Sequence, residues 1–467
     1  MIEYYHQNFN GSAYTSRVKQ LTKDIERLLV LENIPKLENS MDFLPNKYRN
    51  GLSNGLWMIL NQLYSTLDKN KENTSSTLQK YLIKTGTNQD QQPKFIDTFA
   101  GCGGLSIGLS QSGFSPLLVN EIESKFLESF YFNHNLSLDS YFCGDIKDLV
   151  DGSELDHEKY ANIDLVVGGP PCQGFSMANR QRILDDPRNS LYKQFLKLLA
   201  RTKPKFFVME NVKGMMNKTD EIISDFKTTL GDAYSGNIKM VLLNAKDFGV
   251  PQNRQRVFVI GTRLTNVDIN EVVNKILEKR KSIIPFVLKD ALEGLPALYP
   301  KTEKNKGGLE NDKIGFKFSK REVRVNSFLK SIGGVAEYIS NHTNRFNNER
   351  DVEIFSRLPQ GANSLHPSIR DIMPYASRNH MFKDKYFKLD ENHVSKTITS
   401  HMKFDCNMYI HPSQPRGLSP REAARIQTFP DDYVFMGPNN IWYAQIGNAV
   451  PVKLAKAIGD ELIKYLN

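Results

Sequence analysis

The stretch "FIDTFAGCGGLSIGLSQSGF", residues 95–114, decides the fold of this 467-residue chain. A short apolar run ends in a turn that contains Gly101, Gly103 and Gly104, and a helical pattern begins at Leu105. Glycines at such a turn let the backbone approach a ligand closely, and the first turn of the helix offers unpaired amides. This order predicts a nucleotide-type site at a strand end. The strict GxGxxG spacing is absent, which argues against NAD.

Two carboxylates follow at positions that suit an adenosine-containing ligand. Glu121 lies twenty residues after Gly101, at the end of the apolar run "PLLVNEI", where a carboxylate can bind both hydroxyls of a ribose. Asp145, in "FCGDI", would accept a hydrogen bond from an adenine amino group at the end of a third strand. These positions favour an adenosine-containing cofactor. A tight strand-to-helix turn without a ligand is the alternative.

Short apolar runs alternate with helical patterns from Lys94 to Thr262. The predicted strands are "FIDTFAG", "PLLVNEI", "IDLVVGG", "KFFVMENV", "KMVLLNA" and "RVFVIGT". Runs separated by crossover helices predict an α/β fold with a mostly parallel sheet and helices on both faces. Ligands in such folds bind beyond the carboxyl ends of the strands.

Changes in the sequence pattern divide the chain into four regions. Residues 1–92 are predicted to form a helical extension without a chemical motif, and residues 93–263 contain the glycine turn and the alternating strands and helices. Residues 264–405 lack this alternation and are predicted to form a second, smaller, irregular domain, and residues 406–467 have a regular pattern again. In the last region "LSPREAARIQTF" predicts a helix with a capping box, because Ser419 precedes Pro420 and Glu422 follows three residues after the cap.

Composition and charge limit the class of protein. No apolar run approaches the roughly 18 residues of a membrane span, and the N-terminus lacks the pattern of a secretion signal, so we expect a cytoplasmic protein that does not enter a membrane. Cys102, Cys143, Cys172 and Cys406 form no CxxC pair, which argues against a disulfide framework or a zinc site. The net charge is +9, and about 25 basic against 18 acidic residues lie between Thr262 and Pro415. This excess is compatible with a polyanionic partner, although a solvated surface is the alternative.

A single cysteine follows a rigid turn in "IDLVVGGPPC". Pro170 and Pro171 restrict the backbone before Cys172, as a positioned nucleophile requires, whereas most cysteines are simply buried. Glu210 in "FFVMENVKG" ends a neighbouring strand, and a solvated acid is its alternative. No histidine stands beside Cys172 or Glu210, which disfavours a cysteine hydrolase. A thiolate with a carboxylate suits addition to an electron-poor ring. Arg254 and Arg256 in "QNRQRVFVIG" are either substrate-binding or ordinary surface charges.

Nine motifs in order resemble those of the DNA cytosine-5 methyltransferases of bacterial restriction-modification systems. The similarity covers residues 94–263 and 405–465 and leaves the first 90 or so residues outside the shared pattern. The motifs are "DTFAGCGGLSIGL", "NEIE", "GDI", "GGPPCQGFS", "DPRNSLYKQF", "ENV", "QNRQRVFVIG", "RGLSPREAARIQTFPDDY" and "QIGNAVPVKLAKAIG". The resemblance implies a Rossmann-like S-adenosylmethionine-dependent methyltransferase sheet, and S-adenosyl-L-methionine as the cofactor. It also implies that residues 93–263 are the catalytic and cofactor-binding domain and that residues 406–467 return to it.

The resemblance also implies roles for individual residues. Cys172 would attack carbon 6 of cytosine and Glu210 would bond or protonate ring nitrogen 3. Arg256 would hold the oxygen at position 2, with Arg254 nearby on the substrate. The implied cofactor pocket consists of Phe99, Gly101, Gly103, Gly104, Glu121, Ile122, Asp145, Ile146, Pro171, Asn448 and Ala449.

The resemblance finally implies a double-stranded DNA substrate. The target cytosine would be flipped out of the duplex, because a stacked base does not expose carbon 6 to a thiol. Residues 264–405 would recognise the target sequence, and Thr397–Thr399 would support the loop nearest the flipped nucleotide. A cognate restriction endonuclease is the expected functional partner, and the protein is expected to be monomeric and associated with the nucleoid. A transfer RNA methyltransferase of the same chemistry and an inactive DNA-binding protein of the same fold remain alternatives.

Overall fold

The computed structural model describes residues 92–134, 136, 140–152, 160–171, 190–234, 236–302, 325–333, 340–374 and 385–466. The predicted helices of the N-terminal extension therefore lie outside the described residues. Cys172 also lies outside them. No helix among the described residues is long and apolar enough to cross a membrane.

A seven-stranded sheet forms the centre of the described structure, with the strand order β3-β2-β1-β4-β5-β7-β6. The strands are β1 (Lys94–Thr98), β2 (Ser115–Glu121), β3 (Tyr141–Cys143), β4 (Leu165–Gly168), β5 (Phe206–Val212), β6 (Ile238–Asn244) and β7 (Gln255–Thr262). Strand β7 runs antiparallel to both of its neighbours, and the other pairs are parallel. The predicted α/β fold with a mostly parallel sheet is confirmed. All six predicted strands are present.

Helices cover both faces of the sheet, because successive side chains of each strand point to opposite faces. In β1, Phe95 packs into one apolar cluster and Ile96 into the other. Strand β5 follows the same alternation, with Phe206 and Phe207 on different faces. Both faces are apolar along the central strands, which explains why their sequences are nearly continuous apolar runs.

The described residues form twelve α-helices, of which some cover the sheet and others pack with one another in the C-terminal half. They are α1 (Gly104–Gln111), α2 (Ser124–Asn133), α3 (Ile146–Asp151), α4 (Ser190–Thr202), α5 (Thr219–Leu230), α6 (Ile269–Glu278), α7 (Leu288–Leu292), α8 (Ser327–Ser331), α9 (Glu349–Arg357), α10 (Pro420–Ile426), α11 (Asn439–Asn448) and α12 (Val452–Leu462). Helix α6 packs through Val272 and Ile276 into the cluster on the sheet. The helical layer of the sheet therefore extends beyond the predicted boundary at residue 263.

The C-terminal segment packs on the helical layer of the sheet. Leu454 and Ile458 of α12 pack with Leu105 and Leu109 of α1 in one apolar cluster. Helix α10 begins with the predicted capping box. The Ser419 side chain accepts a hydrogen bond from the Glu422 amide, and the Glu422 carboxylate accepts one from the Ser419 amide.

Candidate active site

The glycine turn after β1 adopts backbone conformations that favour glycine. Gly101 has φ +58° and Gly103 has φ +88°, and Gly103 is the residue before the first turn of α1. A Cβ on Gly104 would lie 2.5 Å from the Val450 carbonyl oxygen and 3.1 Å from the Ala449 Cβ. A Cβ on Gly101 would meet no atom within 4 Å. The turn is thus packed against the C-terminal segment at Gly104 and open at Gly101.

Phe99 precedes this turn and has a positive φ of 57° although it is not a glycine. Its backbone therefore lies in the left-handed region, which a bulky residue adopts only when its surroundings hold it there. The half-buried Phe99 ring packs against the apolar cluster of Ile96 and Ile146. The chain changes direction at this point, between the end of β1 and the glycines.

Glu121 is fixed beside the glycine turn by two backbone amides. Its Oε2 atom accepts a hydrogen bond from Gly101 N at 2.8 Å, and its Oε1 atom accepts one from Glu123 N at 2.9 Å. Burial raises the pKa of Glu121, and these two amides oppose the rise. Each carboxylate oxygen keeps a further lone pair that can accept from a ligand hydroxyl. The adjacent Ile122 is 63% exposed, so an apolar side chain is uncovered next to this carboxylate.

Asp145 and Ile146 follow β3 at the same end of the sheet. One oxygen of Asp145 accepts a hydrogen bond from Lys147 N at 2.9 Å and so caps α3. Ile146 is buried in the apolar cluster of its sheet face, so its side chain does not lie on the open surface. The carboxylate of Asp145 can therefore accept further hydrogen bonds from a ligand, while the Ile146 side chain packs in the apolar cluster beneath the strand end.

The predicted C-terminal cofactor residues end helix α11. Asn448 is its last residue and is exposed, and Ala449 is half-buried beside Gly104. Pro171 is exposed at the end of the turn after β4. Ala449 thus meets the glycine turn, although more than 300 residues of sequence separate it from Gly104.

Glu210 and Arg256 form an ion pair at the edge formed by β5 and β7. The Nε atom of Arg256 lies 2.9 Å from Oε1 of Glu210, and the two side chains are 16% and 13% exposed. The pair is possible because β5 and β7 are antiparallel neighbours, with Val212 opposite Arg256. A carboxyl group that carries a proton and a guanidinium at one small region can donate to the ring nitrogen and the carbonyl oxygen of a single heterocycle.

The turn that precedes Cys172 lies against this ion pair. A Cβ on Gly169 would lie 3.2 Å from Oε2 of Glu210, and the Asn211 side chain donates a hydrogen bond to the Pro170 carbonyl at 3.0 Å. Cys172 itself lies outside the described residues, so its role as nucleophile stays a prediction. The described segment of residues 160–171 ends one residue before Cys172, and its Gly169 lies beside Glu210.

Arg254 lies behind the site instead of facing it. It is 1% exposed, and its guanidinium donates to the carbonyl oxygens of Ile398 at 2.7 Å and of Gly447 at 3.2 Å. Burial lowers the pKa of Arg254, and the nearby Arg256 lowers it further. This placement differs from the substrate contact expected from the sequence, because the side chain is enclosed by protein and bonded to backbone. The arginine connects three distant parts of the chain.

The predicted loop at Thr397–Thr399 is attached to the same strand edge. The Thr397 hydroxyl donates to the Asn253 carbonyl at 2.7 Å, and the Thr399 hydroxyl lies 3.0 Å from the Tyr409 hydroxyl. The Gln252 side chain is fully buried, accepts from Ile398 N at 2.7 Å and donates to Gln427 at 2.8 Å. The loop after the irregular region is therefore fixed by side chains that precede β7.

Sequence reasoning missed several of the supporting polar residues. Asn211 stands inside the quoted "ENV" motif, and Gln252 stands directly before "NRQR", so proximity to a motif was the available signal. Asp97 gave a weaker signal as the acid of "FIDTFAG". It is buried, accepts a hydrogen bond from the Ser106 hydroxyl, and burial raises its pKa to about 7. The partners of these side chains are distant in sequence or lie on the next helix, which a pattern does not reveal.

Comparison with known proteins relates residues 93–464 of the chain to a single protein family. A family model described as C-5 cytosine-specific DNA methylase matches residues 93–464. Type II methyltransferase M1.HphI of Haemophilus parahaemolyticus is 32% identical over 395 residues, which cover 83% of this chain and 90% of that protein. Type II methyltransferase M.DdeI of Desulfomicrobium norvegicum is 32% identical over 388 residues, which cover 79% and 88%.

A solved structure agrees with these sequence matches. A prophage-encoded protein of Escherichia coli, described as a DNA modification methyltransferase, is 27% identical and superposes with a TM-score of 0.59. The superposition covers 80% of this chain and 99% of that chain. The residues matched by the family model include the sheet, the glycine turn and the Glu210–Arg256 edge.

Proposed function

The chain belongs to the C-5 cytosine-specific DNA methylase family, and we propose that it methylates carbon 5 of a flipped-out cytosine in one specific duplex DNA sequence through a covalent adduct with Cys172. The proposed biological role is protection of DNA from a cognate restriction endonuclease. We further propose that one protein molecule acts on each DNA site.

The observation that carries the proposal is the ion pair between Glu210 and Arg256, which lies against the turn before Cys172. Cytosine presents a ring nitrogen at position 3 and a carbonyl oxygen at position 2 on one edge. A carboxyl group can bond the nitrogen while a guanidinium donates to the oxygen. The 2.9 Å contact between Glu210 and Arg256 holds the two groups side by side before the base arrives. Such preorganisation reduces the cost of orienting them in the transition state.

The residues of the glycine turn fit S-adenosylmethionine. The space above Gly101 is open, and the Glu121 carboxylate is fixed beside it with spare lone pairs for two ribose hydroxyls. The exposed Ile122 offers an apolar surface for the adenine ring, and Asp145 offers an acceptor for its amino group. Asn448 and Ala449 would close the pocket from the C-terminal side. When bound, the cofactor supplies an electrophilic methyl group on a sulfonium.

The chemistry assigned to the chain's own residues is addition followed by elimination. The Cys172 thiolate forms a bond to carbon 6, and Glu210 delivers a proton to ring nitrogen 3, where negative charge develops. Carbon 5 thereby becomes nucleophilic and accepts the methyl group. Loss of the carbon 5 proton to a base then restores the double bond and expels the thiolate. This route divides one difficult substitution into two easier steps.

Arg254 is proposed to be a positioning residue for this reaction. Its guanidinium ties the Ile398 carbonyl, in the loop proposed to face DNA, to the Gly447 carbonyl next to Asn448. The loop and the cofactor-side helix are therefore held in one arrangement relative to β7. The Gln252 side chain supports the same loop through the Ile398 amide.

The test is to incubate the protein with S-adenosylmethionine and unmethylated genomic DNA and to map 5-methylcytosine by bisulfite sequencing. We expect one short sequence to be methylated throughout the DNA. Transfer RNA serves as the second substrate, and methylation of transfer RNA alone would contradict the DNA proposal. Cys172→Ser should abolish both methylation and the covalent complex with DNA that carries 5-fluorocytosine at the target. A serine variant that still traps this DNA would refute the assignment of the nucleophile.

A further inference from the structure

A pocket lined by several asparagine side chains lies in the C-terminal half of the described residues. It does not include Glu210 or Arg256, which form the edge that we call the catalytic edge. It has a volume of about 410 Å³ and lies between the segments around Asn347 and Asn407 and the first turn of α11, which begins at Asn439. The side-chain carbonyl oxygens of these three asparagines are buried and accept no hydrogen bond. An unpaired buried acceptor is rare and unfavourable in a folded protein, so three in one pocket indicate a ligand that donates hydrogen bonds.

The three asparagines are held by their backbones, not by one another. Asn347 N donates to the Lys301 carbonyl at 2.9 Å, and the Asn407 carbonyl accepts from Phe387 N at 2.9 Å. Asn347 and Asn407 are each 9% exposed. Because their positions are fixed by the fold, the side chains are available to a ligand without first breaking other contacts. This is the arrangement expected of a preorganised recognition site.

The surroundings of the pocket suit a nucleic acid. Phe404 is 64% exposed at its edge, and the Lys403 ammonium lies 4.9 Å from the centre of that ring. Arg345, which also lines the pocket, donates to the Phe404 carbonyl at 2.8 Å and so fixes this segment. Exposed aromatic rings stack on bases, and lysine or arginine side chains contact phosphates. Lys301 and Arg345 in the lining are balanced by Asp351 and Asp405, so the proposed phosphate contact falls to Lys403 at the edge of the pocket.

Helix α11 connects the pocket to the part of the chain that Arg254 holds. The helix runs from Asn439 in the pocket to Asn448, and Arg254 bonds the carbonyl of Gly447 near its end. Ten residues of helix span about 15 Å, which corresponds to about four base-pair steps of a duplex. The inference requires that a duplex with its target cytosine at Glu210 also contacts the pocket, a few base pairs away.

We propose that this asparagine pocket recognises an adenine of the target sequence by accepting a hydrogen bond from the one N6 hydrogen that base pairing leaves free. Asparagine is the side chain that matches adenine in the major groove, where it accepts from N6 and donates to N7. The proposal rests on the proposed function, since it requires duplex DNA as the substrate. It assigns to Asn347, Asn407 and Asn439 a part of the sequence specificity that the catalytic residues do not supply.

The test begins with the recognition sequence of the wild-type protein, read from a plasmid library with randomised positions. We expect an adenine, on either strand, within about five base pairs of the methylated cytosine. Synthetic duplexes then carry 2′-deoxynebularine, which lacks the N6 amino group, in place of that adenine. For the wild-type protein this change should lower kcat/KM about 10- to 100-fold, the usual discrimination of a good base contact.

Variants in the full-length protein connect this loss to the pocket. Asn407→Ala should lower kcat/KM on the adenine duplex by a similar factor and show little further loss on the nebularine duplex. Asn439→Ala, which alters a half-buried residue at the helix start and so perturbs folding less, should show the same insensitivity. Asn392→Ala is the matched control, because this asparagine is exposed and bonds only to neighbours on another surface. It should retain the wild-type preference for adenine.

The outcomes separate this inference from the proposed function. A wild-type protein that methylates no DNA would refute both. Methylation of a sequence without adenine in that range would refute the proposed role of the pocket and leave the proposed function intact. The role would also be refuted if folded Asn407→Ala and Asn439→Ala kept the full preference for adenine over nebularine. In that case the unpaired oxygens bind only water.

Discussion

Replacement of Arg254 by methionine tests whether this residue supports the site or touches the substrate. The structure gives it two hydrogen bonds, to the carbonyls of Ile398 and Gly447, and exposes only 1% of it. Each buried carbonyl that loses its donor costs about 1–3 kcal/mol. Part of this loss is offset because a charged guanidinium is no longer buried, as its lowered pKa indicates. We therefore expect Arg254→Met to lower the free energy of unfolding by about 2–3 kcal/mol.

The same substitution should also impair catalysis through the loop at Ile398. That loop loses its hydrogen bond to Arg254 and keeps those through Gln252 and through the Asn253 carbonyl. We expect kcat/KM for DNA to fall about 10- to 100-fold, in line with the large effect of small misplacements at an active site. Urea unfolding and transfer of a tritiated methyl group measure the two quantities. Arg254→Lys should be intermediate, since one ammonium can reach only one of the two carbonyls well.

The alternative role makes a different prediction for the same experiment. If Arg254 contacted the substrate, Arg254→Met would lower activity and leave the free energy of unfolding unchanged. The control is Arg280→Met, because Arg280 is exposed and bonds only the Leu277 carbonyl within its own turn. It should change the free energy of unfolding by less than about 0.5 kcal/mol. An Arg254→Met protein as stable as this control would refute the supporting role.

Three further predictions concern two carboxylates and one buried histidine. Glu210→Gln should slow methyl transfer at least about 100-fold, as expected when an acid-base group is lost. Its affinity for S-adenosylmethionine, measured by calorimetry, should stay unchanged, and a large loss of that affinity would contradict the role assigned to Glu210. Glu121→Gln should weaken cofactor binding about 10-fold or more, equivalent to about 1.4 kcal/mol, and an unchanged dissociation constant would contradict the ribose contact. Burial lowers the pKa of His342 to about 4, and the neutral ring bonds the Ser419 hydroxyl and the Pro296 carbonyl. Below about pH 6.5 the unfolded chain binds a proton at His342, whereas the folded protein binds it only below about pH 4. The free energy of unfolding should therefore fall as the pH drops from about 6.5 to about 4. At pH 5 the wild-type protein should have lost up to about 2 kcal/mol of unfolding free energy through this residue, and His342→Asn, measured by urea unfolding at pH 7.5 and pH 5, should show a correspondingly smaller loss. An identical pH dependence in the two proteins would show that His342 does not contribute.

The fold was predictable because its signals are local. Apolar runs of strand length, a glycine turn before a helix and a capping box at Ser419 each depend on a few neighbouring residues. The order of the runs then implied a sheet with two covered faces, as Phe95 and Ile96 show by pointing into different clusters. The orientation of β7 was not predictable in this way, because an apolar run has the same composition in either direction.

The catalytic edge was predictable in its members and not in their arrangement. Glu210 and Arg256 stood in separate motifs, and only the antiparallel pairing of β5 with β7 brings them to 2.9 Å. Arg254 stood two residues from Arg256 in the same motif, but its side chain points into the protein. Sequence spacing does not distinguish an arginine that faces a ligand from one that bonds buried carbonyls.

By itself the sequence determined the α/β class, the family resemblance and the candidate residues Glu121, Glu210 and Arg256, since these depend on residue type and order along the chain. The tertiary structure alone decided which of those residues meet. It brought the C-terminal segment at Ala449 against Gly104, attached the loop at Ile398 to Arg254, and left the oxygens of Asn347, Asn407 and Asn439 together without partners. Contacts between residues hundreds of positions apart arise from how helices and strands pack, and packing is a property of the whole folded chain.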